Sequence, residues 1–380
     1  MGNLITSAMQ AAVEERIFPG AVLLVRFQGQ PVYQGAFGLA ALIPQSEPAA
    51  LGTLYDLASL TKPLATTTAV LCLIQDGKLR LGDVLGTYFP ELHDKAVRSA
   101  TVFHLLHHTS GLPDWRPLYE QIDVLERRHP GFLGSEAAKN SVVESIGKEP
   151  LVHPLGTKSL YSDLGFILLG LLIERVTGLS LARFCWERIY QPLGIQDLLF
   201  MPNAGNESSV YGQPVGLDSI APTEEDPWRG RILRGEVHDE NAYALGGIAG
   251  HAGLFGTAAA VMILADAWMD GYLRRSHFFN HDLVHRFASR DSNAPKSSRA
   301  LGWDTPSKPS SSGQYLSPRS FGHLGFTGTS LWIDPCVELE VVLLSNRVHP
   351  SRQNTRIQQF RPLIHDRIYE AIVRESRWGK

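Results

Sequence analysis

Three cysteines in 380 residues, at 72, 185 and 336, are too few and too scattered for a disulfide framework. Cys72 and Cys185 lie in apolar runs, and all three read as buried free thiols of a reducing compartment. No stretch reaches the roughly 18 uninterrupted apolar residues that a membrane span requires. The first residues, MGNLITSAMQAAVEERIF, lack a basic leader and carry charge by Glu14, so no signal peptide is expected and a cytoplasmic location is. Gly2 with Thr6 meets the myristoylation pattern, which is short enough to arise by chance. Neither sign of charge is in excess, with 35 basic against 38 acidic residues well mixed, which speaks against a nucleic-acid footprint or a polybasic membrane patch. There is no H-E-x-x-H, no G-x-S-x-G and no internal repeat. His104, His107 and His108 stand at helical spacing, but no acidic partner lies nearby, so no metal is expected there.

What is present is a mixture of periodicities. Residues 3–17 are helical in pattern. Ala21–Phe27 and Val32–Phe37, split by Gln-Gly-Gln-Pro, read as a β-hairpin, as do Leu331–Ile333 and Leu339–Ser345 around Asp334-Pro335. Asn354–Arg374 returns to helical spacing. Between these ends the pattern is mainly helical, notably at Leu64–Gln75, Val102–His108 and Leu164–Val176, the last stopped by Gly178. The fold class is therefore α+β. An antiparallel sheet domain built from residues 1–62 and 240–380 is flanked by terminal helices, and a mainly helical region, 63–239, is inserted into it. Two long irregular stretches, 203–241 and 289–320, read as functional or mobile loops.

The chemistry concentrates at YDLASLTKPLATTTAV, residues 55–70. Pro63 is comfortable only in a first helical turn, so a straight helix is predicted to begin near Ser59. Its hydroxyl then sits where free N–H groups and the macrodipole favour negative charge. Lys62 projects from nearly the same face, one turn on. Taken alone, Ser59 is equally a helix cap and Lys62 a solvated side chain. The same pattern recurs at Ser145 and Lys148, where no apolar helix follows. Tyr161, in KSLYSDLGF, is a phenol capable of moving a proton if an ammonium lies beside it. FGHLGFTGTSLWIDP (321–335) has glycines at 322, 325 and 328 that permit close backbone approach in or beside a strand, and so half of an oxyanion hole.

Ser59-x-x-Lys62, Tyr161-x-Asp163 and His323-x-Gly325, in that order, resemble the three motifs of the serine β-lactamase and penicillin-binding-protein superfamily. The tyrosine-led second motif, together with LLHHTSGLPDW (105–115) and NAYALGGIAGHAGLFGTA (241–258), is similar to the class C branch with its esterases and D-peptidases. The resemblance implies a β-lactamase/transpeptidase-like fold and an acyl-enzyme mechanism on an ester, amide or D-amino-acid peptide. Ser59 is the implied nucleophile, Lys62 and Tyr161 carry the proton, and the N–H groups of Ser59 and Phe326 hold the oxyanion. No cofactor is implied, and the partner is a small molecule or short peptide. His323 and Gly325 are expected to bind substrate, with Asp163, Trp115 and Arg234 in or near the cleft; Trp228 and Arg231 are further candidates.

Two positions depart from the pattern. Asp163 stands where the family commonly has Asn, exchanging a donor for an acceptor. If it contacts Lys62, it holds that lysine charged. His323 replaces the usual Lys, and is expected to be partly charged near neutral pH. Both changes point away from efficient β-lactam hydrolysis, leaving a weak side activity, with a receptor for cell-wall fragments that has lost turnover as the alternative.

Overall fold

The structure, a computed structural model, describes residues 2–203, 211, 215–291 and 297–375. Parts of the two irregular stretches thus lie outside the described residues. Both ends of the chain meet in one antiparallel sheet of six strands, β1 (Gly20–Phe27), β2 (Gln30–Ala41), β3 (Glu47–Pro48), β4 (Phe321–Leu324), β5 (Ser330–Asp334) and β6 (Leu339–Ser345). The spatial order is β3-β2-β1-β6-β5-β4. β1 and β6 pair in the centre, from Ala21 opposite Ser345 to Phe27 opposite Leu339.

Alternation of side chains explains why this sheet is covered on both faces. Leu23, Val25, Val341 and Leu343 point to one side, where they pack with Ile5 and Met9 of α1 (Gly2–Glu14) and Ile364 and Ile368 of α5 (Ile357–Ile368). Val22, Val342 and Leu344 join the larger core on the other side. That core also contains α2 (Thr68–Gln75), α3 (Asp163–Thr177) and α4 (Ala258–Tyr272). β6 is therefore buried along its whole length, as its apolar LEVVLLS demands. α3 ends at Gly178, whose φ of 71° supplies the left-handed cap.

A second sheet of three short strands joins Tyr55–Asp56 and Leu198–Phe200 to the two edges of Leu254–Gly256. The chain leaves it directly into the segment of Ser59 and Lys62, with Leu57 N–H donating to Leu254 O at 2.9 Å. That segment differs from the straight helix expected. A 3₁₀ turn at Ala58–Leu60 is followed by widened π turns at Lys62–Thr67, and regular α-helix begins only at Thr68. Pro63 has no N–H to give to a regular ladder, and the Thr68 hydroxyl donates to Pro63 O at 2.7 Å instead. The thiols divide: Cys72 and Cys185 are buried, whereas Cys336, in the turn between β5 and β6, is exposed, contrary to expectation.

Candidate active site

Ser59 is half-buried in the middle of a turn that begins with a strained residue, Ala58, at φ 47°. The turn is fixed from below and from the side. Asp56 accepts the Ala58 N–H at 2.8 Å, and the hydroxyls of Thr327 and Thr329 donate to the carbonyls of Asp56 and Leu57 at 2.7 and 3.0 Å. The loop after edge strand β4 is thereby held against the turn. Gly325 is required for that approach: a Cβ there would lie 2.5 Å from Leu57 O and 2.0 Å from the Thr329 hydroxyl.

Lys62 is 0% exposed and its Nζ donates to Ser59 Oγ at 2.9 Å and to His251 O at 3.1 Å. Its third neighbour is Asp163, with Oδ1 at 2.7 Å, an ion pair lying off the hydrogen-bond axis. Burial alone pushes the ammonium toward losing its proton, but the Asp163 carboxylate and then Tyr161 outweigh it, so its pKa is raised above the ordinary lysine value. The lysine is a fixed cation. Its Nζ is also 4.9 Å from the centroid of the Tyr161 ring. Asp163, expected at the substrate, is instead the counter-ion of Lys62. Ser162 caps α3, accepting the Gly165 N–H at 3.3 Å, which sets the direction in which its neighbours Tyr161 and Asp163 enter the site.

A cavity of about 430 Å³ opens over these groups, lined among others by Ser59, Tyr161, His323, Phe326, Arg299 and Arg361. His323 Nδ1 lies 2.8 Å from Leu324 O and must carry the hydrogen, because a carbonyl only accepts. Burial, then the nearby Arg299 and Lys62, depress its pKa well below the usual histidine range. The imidazole is neutral rather than partly charged, and its Nε2 is a buried acceptor without a protein partner among the described residues. Phe326 is 51% exposed, its ring under the Arg347 guanidinium at 4.4 Å. Arg347 Nε donates to Phe326 O at 2.8 Å, and Arg361 Nη2 donates to Gly325 O and Thr329 O at 2.7 Å each. Among the described residues, the Ser59 and Phe326 N–H groups donate to no protein acceptor.

Other expected residues lie elsewhere. Arg234 pairs with Glu47 and donates to the carbonyls of Leu217 and Ile220, so it anchors β3 to a loop and does not line the cavity. Arg231 likewise pairs with Glu236. Trp115 is 39% exposed and heads an aromatic row through Tyr119, Trp228 and Tyr243, outside the cavity lining. His104 contacts the Thr101 hydroxyl, and His107 stacks on Phe103. Sequence reasoning passed over Arg299. It lies in an irregular stretch without a motif, yet its guanidinium is 4.8 Å from the Tyr161 ring centroid and its carboxylate neighbour, Asp304, is 3.9 Å away. Arg347, Arg352 and Arg361 also line the cavity, but their hydrogen bonds go to carbonyls or to Glu224 and Glu240.

A serine held by a buried lysine, a phenol beside that lysine and a glycine-bearing edge strand define a serine hydrolase of the acyl-enzyme type. The chain belongs to the Beta-lactamase family, whose family model matches residues 5–362. It is 34% identical over 355 residues to an Escherichia coli (strain K12) protein named as a D-alanyl-D-alanine carboxypeptidase, spanning 87% of this chain and 79% of the relative. It is 32% identical over 352 residues to the N-acetylmuramyl-L-alanine amidase of Bacillus subtilis (strain 168), with 87% and 78% covered. Among solved structures, the hydrolase EstCE1 superposes with a TM-score of 0.71 at 19% identity, over 95% of this chain and 98% of that one. The octameric penicillin-binding protein homologue from Pyrococcus abyssi gives 0.71 at 20% identity, over 98% and 77%. The protein is thus a serine hydrolase of the Beta-lactamase family. No single helix among the described residues is long and apolar enough to cross a membrane.

Proposed function

We propose that this hydrolase cleaves peptides or amides ending in a D-amino acid with a free carboxylate, and that Tyr161 is its proton carrier. The observation that carries the mechanism is the 2.7 Å pairing of Lys62 with Asp163, which keeps the lysine charged and leaves the phenol to act as base. The Lys62 ammonium stabilises negative charge on the Tyr161 oxygen. In the first step Ser59 Oγ gives its proton to the phenolate and bonds to the substrate carbonyl carbon. The displaced electron pair settles on the carbonyl oxygen, facing the Ser59 and Phe326 N–H groups. Collapse expels the leaving amine, which takes the proton from Tyr161. Water then repeats the sequence on the acyl-enzyme and frees Ser59.

The substrate class rests on Arg299, whose neighbour at 3.9 Å is too distant for a tight ion pair. Its guanidinium faces the same cavity as Ser59, and the 31–34% identical relatives carry carboxypeptidase and amidase names. A hydrogen-bonded carboxylate on arginine contributes about 2 kcal/mol, or about 30-fold in kcat/KM. A peptide with a free C-terminal carboxylate should outpace its amide-capped twin, and Arg299→Gln should erase that preference. A fluorophosphonate probe should label the wild type and Ser145→Ala but not Ser59→Ala. Absence of labelling in the wild type would sink the acyl-enzyme reading, and an unchanged carboxylate preference in Arg299→Gln the substrate reading.

A further inference from the structure

We infer that His108 is a positioning residue for Tyr161, gripping the chain on both sides of the phenol and supporting the ring itself. This rests on Tyr161 being the proton carrier. The His108 carbonyl accepts the Leu160 N–H at 2.8 Å, and its Nδ1 accepts the Ser162 N–H at 3.0 Å. The residues before and after Tyr161 are thereby tied to one amino acid. The imidazole is buried and packs on the Tyr161 ring at 4.6 Å between centroids, with Phe166 behind it at 5.1 Å.

The backbone of His108 is left-handed, at φ 58°, a region uncommon outside glycine although histidine enters it more readily than most residues. The conformation brings the carbonyl and the ring nitrogen to the same short segment, so the strain coincides with the grip. Two further ties extend it. Ser162 Oγ donates to Pro113 O at 2.6 Å, and Asp163 N–H donates to Asp114 O at 2.8 Å. Residues 108–114 therefore act as a template along which 160–163 is laid. Of its members, only His108 touches the phenol ring through a side chain among the contacts described.

The bond from Ser162 requires a lone pair on Nδ1, so the hydrogen resides on Nε2 and the ring is neutral. The charged and titratable groups around it are Arg299, Lys62, His323, His107 and Tyr161. Burial, followed by Arg299 and Lys62, drives its pKa well below the ordinary value. His108 consequently acts as a prop that does not titrate in the working range, and not as a second base.

The test is a double-mutant cycle on a neutral p-nitrophenyl ester, which does not engage Arg299. Glycine accepts a positive φ, so His108→Gly removes the ring and the acceptor without the backbone penalty. A displacement of the phenol of order 1 Å lowers kcat about 100-fold with KM little changed. Asparagine tolerates the left-handed region and keeps an acceptor oxygen, so His108→Asn should recover a large part of that loss, with the acid limb of the pH profile where the wild type has it. Because His108 acts through Tyr161, the double variant with Tyr161→Phe should be no slower than Tyr161→Phe alone. Full activity in His108→Gly, additive losses in the double variant, or an acid limb displaced in His108→Asn would each overturn the inference. Wild-type activity in Tyr161→Phe would overturn both this and the proton-carrier reading, whereas loss in Tyr161→Phe with an active His108→Gly would overturn this one alone.

Discussion

Adding one carbon at Gly325 should damage the enzyme in a way that separates packing from geometry. An alanine Cβ there would meet Leu57 O at 2.5 Å, about 1 Å inside the 3.4 Å at which ordinary contact begins. Leu57 O belongs to the backbone of the turn that carries Ser59, so it cannot swing aside. The other obstacle, the Thr329 hydroxyl at 2.0 Å, is itself bonded to Leu57 O, and rotating it away breaks that bond. Relief therefore requires the 325–329 loop and the Ser59 turn to part by about 1 Å. Overpacking of this kind costs about 1–3 kcal/mol of stability. The same displacement pulls the Phe326 N–H away from the oxyanion position proposed for it, and misplacement by about 1 Å lowers turnover about 100-fold. Gly52→Ala, where no atom lies within 4 Å of the added carbon, is the control. Urea unfolding and ester turnover, measured on Gly325→Ala and Gly52→Ala, decide the matter. A Gly325→Ala protein with the stability and kcat of wild type would refute the claim that this contact sets the site.

Two other outcomes are expected. Asp163→Asn removes the counter-ion that raises the Lys62 pKa, so the ammonium that supports the phenolate loses its proton at lower pH and the alkaline limb of kcat/KM should move down; an unmoved limb contradicts the ion pair's role. Glu340, on β6, has its carboxyl pushed up to about 9 by burial and then by Asp266, with Arg26 and Asp270 also facing it. The folded protein keeps that proton where the unfolded chain has lost it. Stability should accordingly fall as pH rises from about 4.5 toward 9, and the fall should be shallower in Glu340→Gln; equal slopes in the two proteins would exclude it.

Much of the fold was legible because period-2 and period-3.6 patterns are local. The hairpin strands appeared near their expected positions, with β2 starting two residues early at Gln30 and running on to Ala41, and Gly178 ended α3. The serine–lysine pair was likewise visible, since both residues lie on one turn. What local pattern could not do was choose between two such pairs. The tertiary structure separates them plainly. Ser145 is spent inside its own helix, donating to Ser141 O at 2.8 Å and accepting from Gln121 Nε2 at 2.7 Å, and Lys148 is exposed. Ser59 meets a lysine stripped of water.

Electrostatic identity was decided in three dimensions for the same reason. His323 reads as half-charged by type, but burial beside Arg299 and Lys62 makes it neutral. Asp163 and Arg234 both read as substrate contacts, and both found opposite charges within the fold, at Lys62 and Glu47. Arg299 carried no motif and came to the cavity only through the path of its loop. The amino-acid sequence alone determined which elements form and which family's chemistry the chain carries, because propensity and motif spacing act over a few residues. The charge state of each group and its neighbour in the site depend on which distant segments exclude water together, and only the folded chain supplies that.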